Sequence, residues 1–134
     1  ILALSIRVYD YNNVKAEPEN TARMRFYDVN RNLKFVVTAD TILYIGAEEN
    51  YINIYYTDGG KVKSYVLRNS MRSVDELCLT NGLVRCHRSY FINPVYIKIV
   101  HRDSAGLIVA ELNHDGYESI PISRKYQDAI TRLL

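Results

Sequence analysis

Most of the chemical interest in this sequence lies in a few basic and amide side chains. Residues 83–94 read Leu-Val-Arg-Cys-His-Arg-Ser-Tyr-Phe-Ile-Asn-Pro. Arg88 offers a planar fork of N–H donors, suited to phosphate or to guanine O6 and N7. Asn93 carries one donor and one acceptor group, the combination that matches an adenine edge. Pro94 behind it pushes its backbone extended and stiffens the loop. Turn chemistry alone also accounts for an asparagine at that place. Arg124 and Lys125 follow Ser123, which is expected to cap a terminal helix. Free N–H groups in a first helical turn attract phosphate, whereas basic side chains there oppose the helix dipole. A locally unfavourable placement of this kind points to function rather than stability.

Bond-making chemistry finds less support. The three histidines (His87, His101, His114) form no H-x-x-x-H or H-E-x-x-H motif. No nucleophile elbow, Walker-type loop or dinucleotide fingerprint occurs. Cys86 and His87 are adjacent, so on a strand they point to opposite faces. His87 and Arg85 are expected to be structural. Glu48-Glu49 reads as a polar loop between strands. No catalytic residue, metal site or cofactor is expected. The two cysteines, Cys78 and Cys86, fit no metal spacing and read as reduced, buried thiols.

Charge is unevenly distributed. The net charge is only +2, yet residues 61–102 hold eight Lys/Arg against two acids. A local basic segment in a near-neutral chain forms a directional electrostatic face for an anionic partner. A solvated surface is the plainer reading of the same residues.

These side chains must be positioned by β structure. Tyrosine is unusually frequent, with 12 Tyr against 3 Phe and no Trp, which favours strands. Apolar or alternating runs are read at 33–38, 41–46, 51–56, 61–67, 83–86, 90–92, 95–101, 107–112 and 117–122. Asp58-Gly59-Gly60 reads as a hairpin turn, and turns are also read at 103–106 and 114–116. A helix is expected after Asn69 or Ser70, with Met71, Val74, Leu77 and Cys78 on one face. Asn81 and Gly82 would supply its left-handed terminus. A second helix would follow Ser123 with Tyr126, Ala129, Ile130 and Leu133 as its apolar face. The fold class is mainly β: an elongated antiparallel β-sheet sandwich with two short helices, one mid-chain and one C-terminal.

Residues 1–24 read as an attachment, with linker chemistry around Glu17-Pro18-Glu19-Asn20. The opening Ile-Leu-Ala-Leu-Ser-Ile without Met is expected to be the remnant of a preceding segment, a membrane helix or another domain. The domain boundary is placed near residue 25.

Four stretches in order resemble one family, that of LytTR DNA-binding domains. They are Arg85–Pro94 within the segment above, Ile42-Leu43-Tyr44-Ile45-Gly46-Ala47-Glu48-Glu49-Asn50-Tyr51-Ile52, the helix from Ser70 to Leu77, and Ile120-Pro121-Ile122-Ser123-Arg124-Lys125-Tyr126. The resemblance covers residues 25–134. It implies a bacterial transcription regulator's output domain, of the response-regulator kind used in two-component signalling, whose loops enter the DNA grooves. The implied DNA-binding residues are Asn50, Tyr51, Arg88, Asn93, Arg124 and Lys125. Some members carry histidine where this chain has Tyr51, so Tyr51 is expected to stack or to bind phosphate. The implied partner is double-stranded DNA, as direct repeats bound by a homodimer, with no small-molecule substrate. The implied setting is cytoplasmic, with a membrane tether as one form of the missing input part. The competing reading is a β-rich protein-interaction module that binds no nucleic acid.

Overall fold

A computed structural model describes residues 22–113 and 119–134. Among these it shows ten strands and two α-helices. The strands are β1 (Arg23–Tyr27), β2 (Leu33–Thr38), β3 (Ile42–Glu48), β4 (Tyr51–Asp58), β5 (Lys61–Arg68), β6 (Val84–His87), β7 (Tyr90–Ile92), β8 (Ile97–Arg102), β9 (Ile108–Leu112) and β10 (Ile120–Pro121). Helix α1 spans Met71–Thr80 and α2 spans Gln127–Arg132. All described strand pairs are antiparallel. A five-stranded sheet, ordered β5-β4-β3-β7-β6, is accompanied by the β1-β2 ribbon and a three-stranded sheet, β10-β9-β8. The expected β-rich, sandwich-like class with two short helices is what the chain adopts.

The five-stranded sheet is the central layer. One face packs Ile45, Ile52, Ile54, Leu67 and Phe91 against Met24 and Phe26 of β1 and Met71, Val74 and Cys78 of α1. The other packs Leu43, Tyr44, Cys86 and Ile92 against Ala110, Leu112, Ile120 and Ile130. Burying one such aliphatic or aromatic side chain contributes about 1.5–3 kcal/mol. β3 therefore needs apolar residues on both faces, and Ile42 to Ile45 are all buried. A register shift between Ile42 and Tyr44 makes Leu43 an extra residue in the ladder. This bulge lets Leu43 and Tyr44 both serve the second core, while Ile42 and Ile45 serve the first.

Several local expectations hold. Gly59 and Gly60, at φ +61° and +81°, form the two-residue turn between Asp58 and Lys61, the pattern tight hairpins require. Ser70 caps α1 by accepting from the Ser73 N–H at 3.2 Å. Others need correction. Only Gly82 (φ +87°) is left-handed at the end of α1; Asn81 stays at φ −108° and its Nδ2 donates to the Leu77 carbonyl at 2.8 Å. Thr41, and Val95 with Tyr96, lie in single 3-10 turns (Ala39–Thr41 and Pro94–Tyr96) where strand was expected; in the second, Pro94 has no N–H to give a ladder. In α2 only Ile130 is buried; Ala129 and Leu133 are exposed. Strand β1 was not expected, and at Arg23 it starts ahead of the boundary placed near residue 25. The turn expected at 114–116 and Tyr117 lie outside the described residues, as do residues 1–21 of the stretch expected to be a linker. No described helix is long and apolar enough to cross a membrane.

The thiols of Cys78 and Cys86 are free and buried in the two different cores, so the central sheet lies between them. Burial pushes each thiol up to about 12. Since the thiolate is the reactive form, neither should react with a disulfide reagent in the native protein at pH 8, and both should react after denaturation. Rapid labelling of either in the native state would contradict this packing.

Candidate nucleic-acid interface

Three tips meet at one end of the central sheet. β3 and β4 are joined by Glu49-Asn50, with Glu48 paired to Tyr51. Asn50 is exposed and Tyr51 is 44% exposed. Glu49 adopts φ +56°, a conformation that costs a non-glycine residue about 1–2 kcal/mol. The expected Asn50-Tyr51 loop is thus a Glu49-Asn50 turn with Tyr51 as the first residue of the strand. Across β4, Tyr51 pairs with Arg68, so the two side chains share one face of the sheet.

The second tip is the turn Arg88-Ser89 between β6 and β7. The Ala47 N–H donates to the Ser89 carbonyl at 2.8 Å, which fixes this turn beside the end of β3. Arg88 is exposed. Behind it, the Ser89 N–H donates to His87 Nδ1 at 3.1 Å, and the His87 ring meets Tyr90 edge-on. His87 is therefore a satisfied structural residue, as expected. Arg85 is not on its side of the strand, because a register shift between Arg85 and His87 makes Cys86 an extra residue. Arg85 turns toward α1, with its guanidinium 5.0 Å from the centre of the Phe91 ring.

The third tip holds Arg124 and Lys125. The Ser123 N–H donates to the Cys86 carbonyl at 2.9 Å, which ties this segment to β6 two residues before Arg88. Both basic side chains are exposed. They do not lie in the first turn of the final α-helix: Arg124–Tyr126 is a 3-10 turn ahead of α2. Ser123 gives no side-chain cap. Neither side chain therefore opposes the dipole of α2 from within its first turn, and exposure and position mark the pair instead. Lys125 Nζ sits 5.5 Å from the Tyr126 ring centre, near the outer limit for a cation–π contact.

Asn93 leaves this set. It is 4% exposed. Its Nδ2 donates to the Ile42 carbonyl at 2.8 Å, and its Oδ1 accepts from the Val95 N–H at 3.3 Å. Both halves of the amide are used to hold β3 against the turn after β7, so neither faces a groove. Its resemblance-based assignment pointed outward, whereas its place before Pro94 pointed to the turn. Asn93→Ala strands a buried carbonyl and an amide, and should lower stability by about 1–3 kcal/mol. Chemical denaturation reads that loss, and the affinity of the folded fraction for DNA should stay unchanged.

Three further cations join the end surface without having been singled out. Arg68 lies opposite Tyr51. Arg31, exposed at φ +66°, sits in the β1–β2 turn, and the Val29 N–H of that turn donates to the Arg68 carbonyl at 3.0 Å. Arg102 lines a polar cleft with Gly106, Ser123 and Arg124, and its Nη1 donates to the Gly106 carbonyl at 2.8 Å. For Arg68 and Arg102 the signal was the basic count of residues 61–102, which gives charge without position; Arg31 lies outside that stretch and had none. Among the described residues no cluster of His, Cys, Asp or Glu suits a metal ion.

Comparison with known proteins bears on the fold and the family. The structure is similar to that of a LytTr DNA-binding domain from Bacillus cereus, described as part of a putative methyl-accepting/DNA response regulator. The TM-score is 0.55 at 19% identity, covering 84% of this chain and 94% of that one. In sequence the chain is 27% identical over 92 residues to an uncharacterized response regulatory protein of Vibrio cholerae. That alignment takes in 69% of this chain but spans only 34% of the relative. The model of the LytTr DNA-binding domain matches residues 32–134, which is most of the sequence, and the chain belongs to that family.

Proposed function

We propose that this domain is the DNA-binding output part of a bacterial transcription regulator, and that it reads duplex DNA with the three tips at the end of its central sheet. One observation supports the reading above the rest. Asn50, Tyr51, Arg88, Arg124 and Lys125 are far apart in sequence. Two backbone bonds, Ala47 to Ser89 and Ser123 to Cys86, join the segments that carry them. Turns of this kind can follow a groove that a helix would have to fill.

The side chains divide by chemistry. Arg88 and Arg124 have the fork that grips phosphate or a guanine edge. Asn50 can pair with an adenine edge. Tyr51, uncharged and beside Arg68, is suited to stacking or to a phosphate hydrogen bond. Lys125, Arg68, Arg31 and Arg102 supply sequence-independent attraction to the backbone. Two copies on direct repeats would double this surface, and such work on the chromosome is done in the cytoplasm. A protein-interaction module would use the same loops without needing the positive charge.

Selection from random duplexes should recover a motif, with two copies about one helical turn apart if a homodimer binds. Arg88→Ala and Arg124→Ala should each weaken binding to that motif by about 1–3 kcal/mol with the fold intact. Where the arginine grips a phosphate, its removal should also flatten the salt dependence by about one unit of slope. Failure to enrich any sequence, together with salt-insensitive binding to a protein partner, would support the interaction-module reading instead.

A further inference from the structure

The guanidinium of Arg85 is committed to the turn that carries Arg88. Its Nε donates to the His87 carbonyl at 2.9 Å, and Nη2 donates to the Arg88 carbonyl. Its Nη1 bonds the Asp75 carboxylate of α1 at 3.2 Å. The side chain is only 23% exposed and has the ring of Phe91 beside it. Two successive carbonyls are thus drawn to one group on the inner side of the turn. The same turn is tied by Ser89, whose N–H goes to His87 and whose carbonyl takes the Ala47 N–H. The backbone of residues 87–89 is held at four points, and the Arg88 side chain stands exposed from it.

The bulge at Cys86 makes this possible. In an unbroken strand Arg85 and His87 would share a face. With the extra residue, Arg85 reaches back under the turn from the α1 side while His87 supports it from the other. Only a planar fork with several donors can satisfy the carbonyls and the carboxylate together. A lysine would keep the charge without the spacing.

We infer that Arg85 is a positioning residue for DNA recognition at Arg88, oriented by Asp75, so that α1 bears on the interface without touching the ligand. The inference rests on the proposed interface and adds to it a residue that would act only through another.

A double-mutant cycle in the intact domain tests it, with affinity for the selected duplex as the readout. Arg85→Lys should weaken binding about tenfold while the melting temperature stays close to wild type. In an Arg88→Ala background the same change should cost less than about twofold, because its effect passes through Arg88. Asp75→Asn, which leaves both turn bonds in place, should show the same pattern with a smaller loss, and it serves if Arg85→Lys folds poorly. Losses that multiply in the double variants would overturn the positioning role and leave Arg85 a general structural residue. So would single variants that bind like wild type. If Arg88→Ala alone binds normally, the interface reading itself falls, and the inference goes with it.

Discussion

β3 must be buried on both faces, and the rest of the molecule follows from that constraint. It is the middle strand of five, with the β1–β2 ribbon and α1 on one side and the three-stranded sheet and α2 on the other. Strict alternation would set Ile42 with Tyr44 on one face and Leu43 with Ile45 on the other. The bulge at Leu43 instead turns Leu43 and Tyr44 to one side and Ile42 and Ile45 to the other. Asn93 then closes the irregularity: its backbone N–H meets the Leu43 carbonyl and its side chain the Ile42 carbonyl. Gly46, next along, leaves room for the Tyr90 ring, whose Cε1 would lie 3.1 Å from an added Cβ. Tight packing of this kind leaves the end of β3 as a fixed point from which the tips project.

Much of this was legible in the sequence. The Asp58-Gly59-Gly60 turn, the Ser70 cap and the alternation of Ile52 and Ile54 against Tyr51 and Asn53 each depend on chemistry a few residues wide. The tyrosine surplus also reads true: Tyr44 and Tyr55 stack at 4.4 Å between the central sheet and its cover. β1 was not legible, because Arg23-Met24-Arg25-Phe26-Tyr27 has only two apolar side chains facing in, and a neighbouring linker composition masks them. Their burial is decided by α1 and β3, far along the chain.

The site was legible by type more than by orientation. Arg88 and Arg124, expected to contact DNA, lie exposed, as such a role would require. Asn93 was misread because an amide before proline looks the same whether it faces out or in; which way it faces depends on the Ile42 carbonyl, 51 residues away. Alternation along an unbroken strand would set Arg85 and His87 on one face, and a single bulged residue separates them. Bulges leave no clear mark in a sequence, yet here two of them decide which way Leu43, Tyr44 and Arg85 face.

The joints between the tips have a consequence for how such a domain changes over generations. Ala47 to Ser89 and Ser123 to Cys86 are amide-to-carbonyl bonds, which any residue except proline can make on the donor side. The spacing of the tips is therefore carried by the main chain, and the exposed side chains on them are free to vary. If these tips are the DNA-reading surface proposed above, a lineage could exchange one target sequence for another by altering a few surface residues, with no repacking of either core and no change in the spacing between tips.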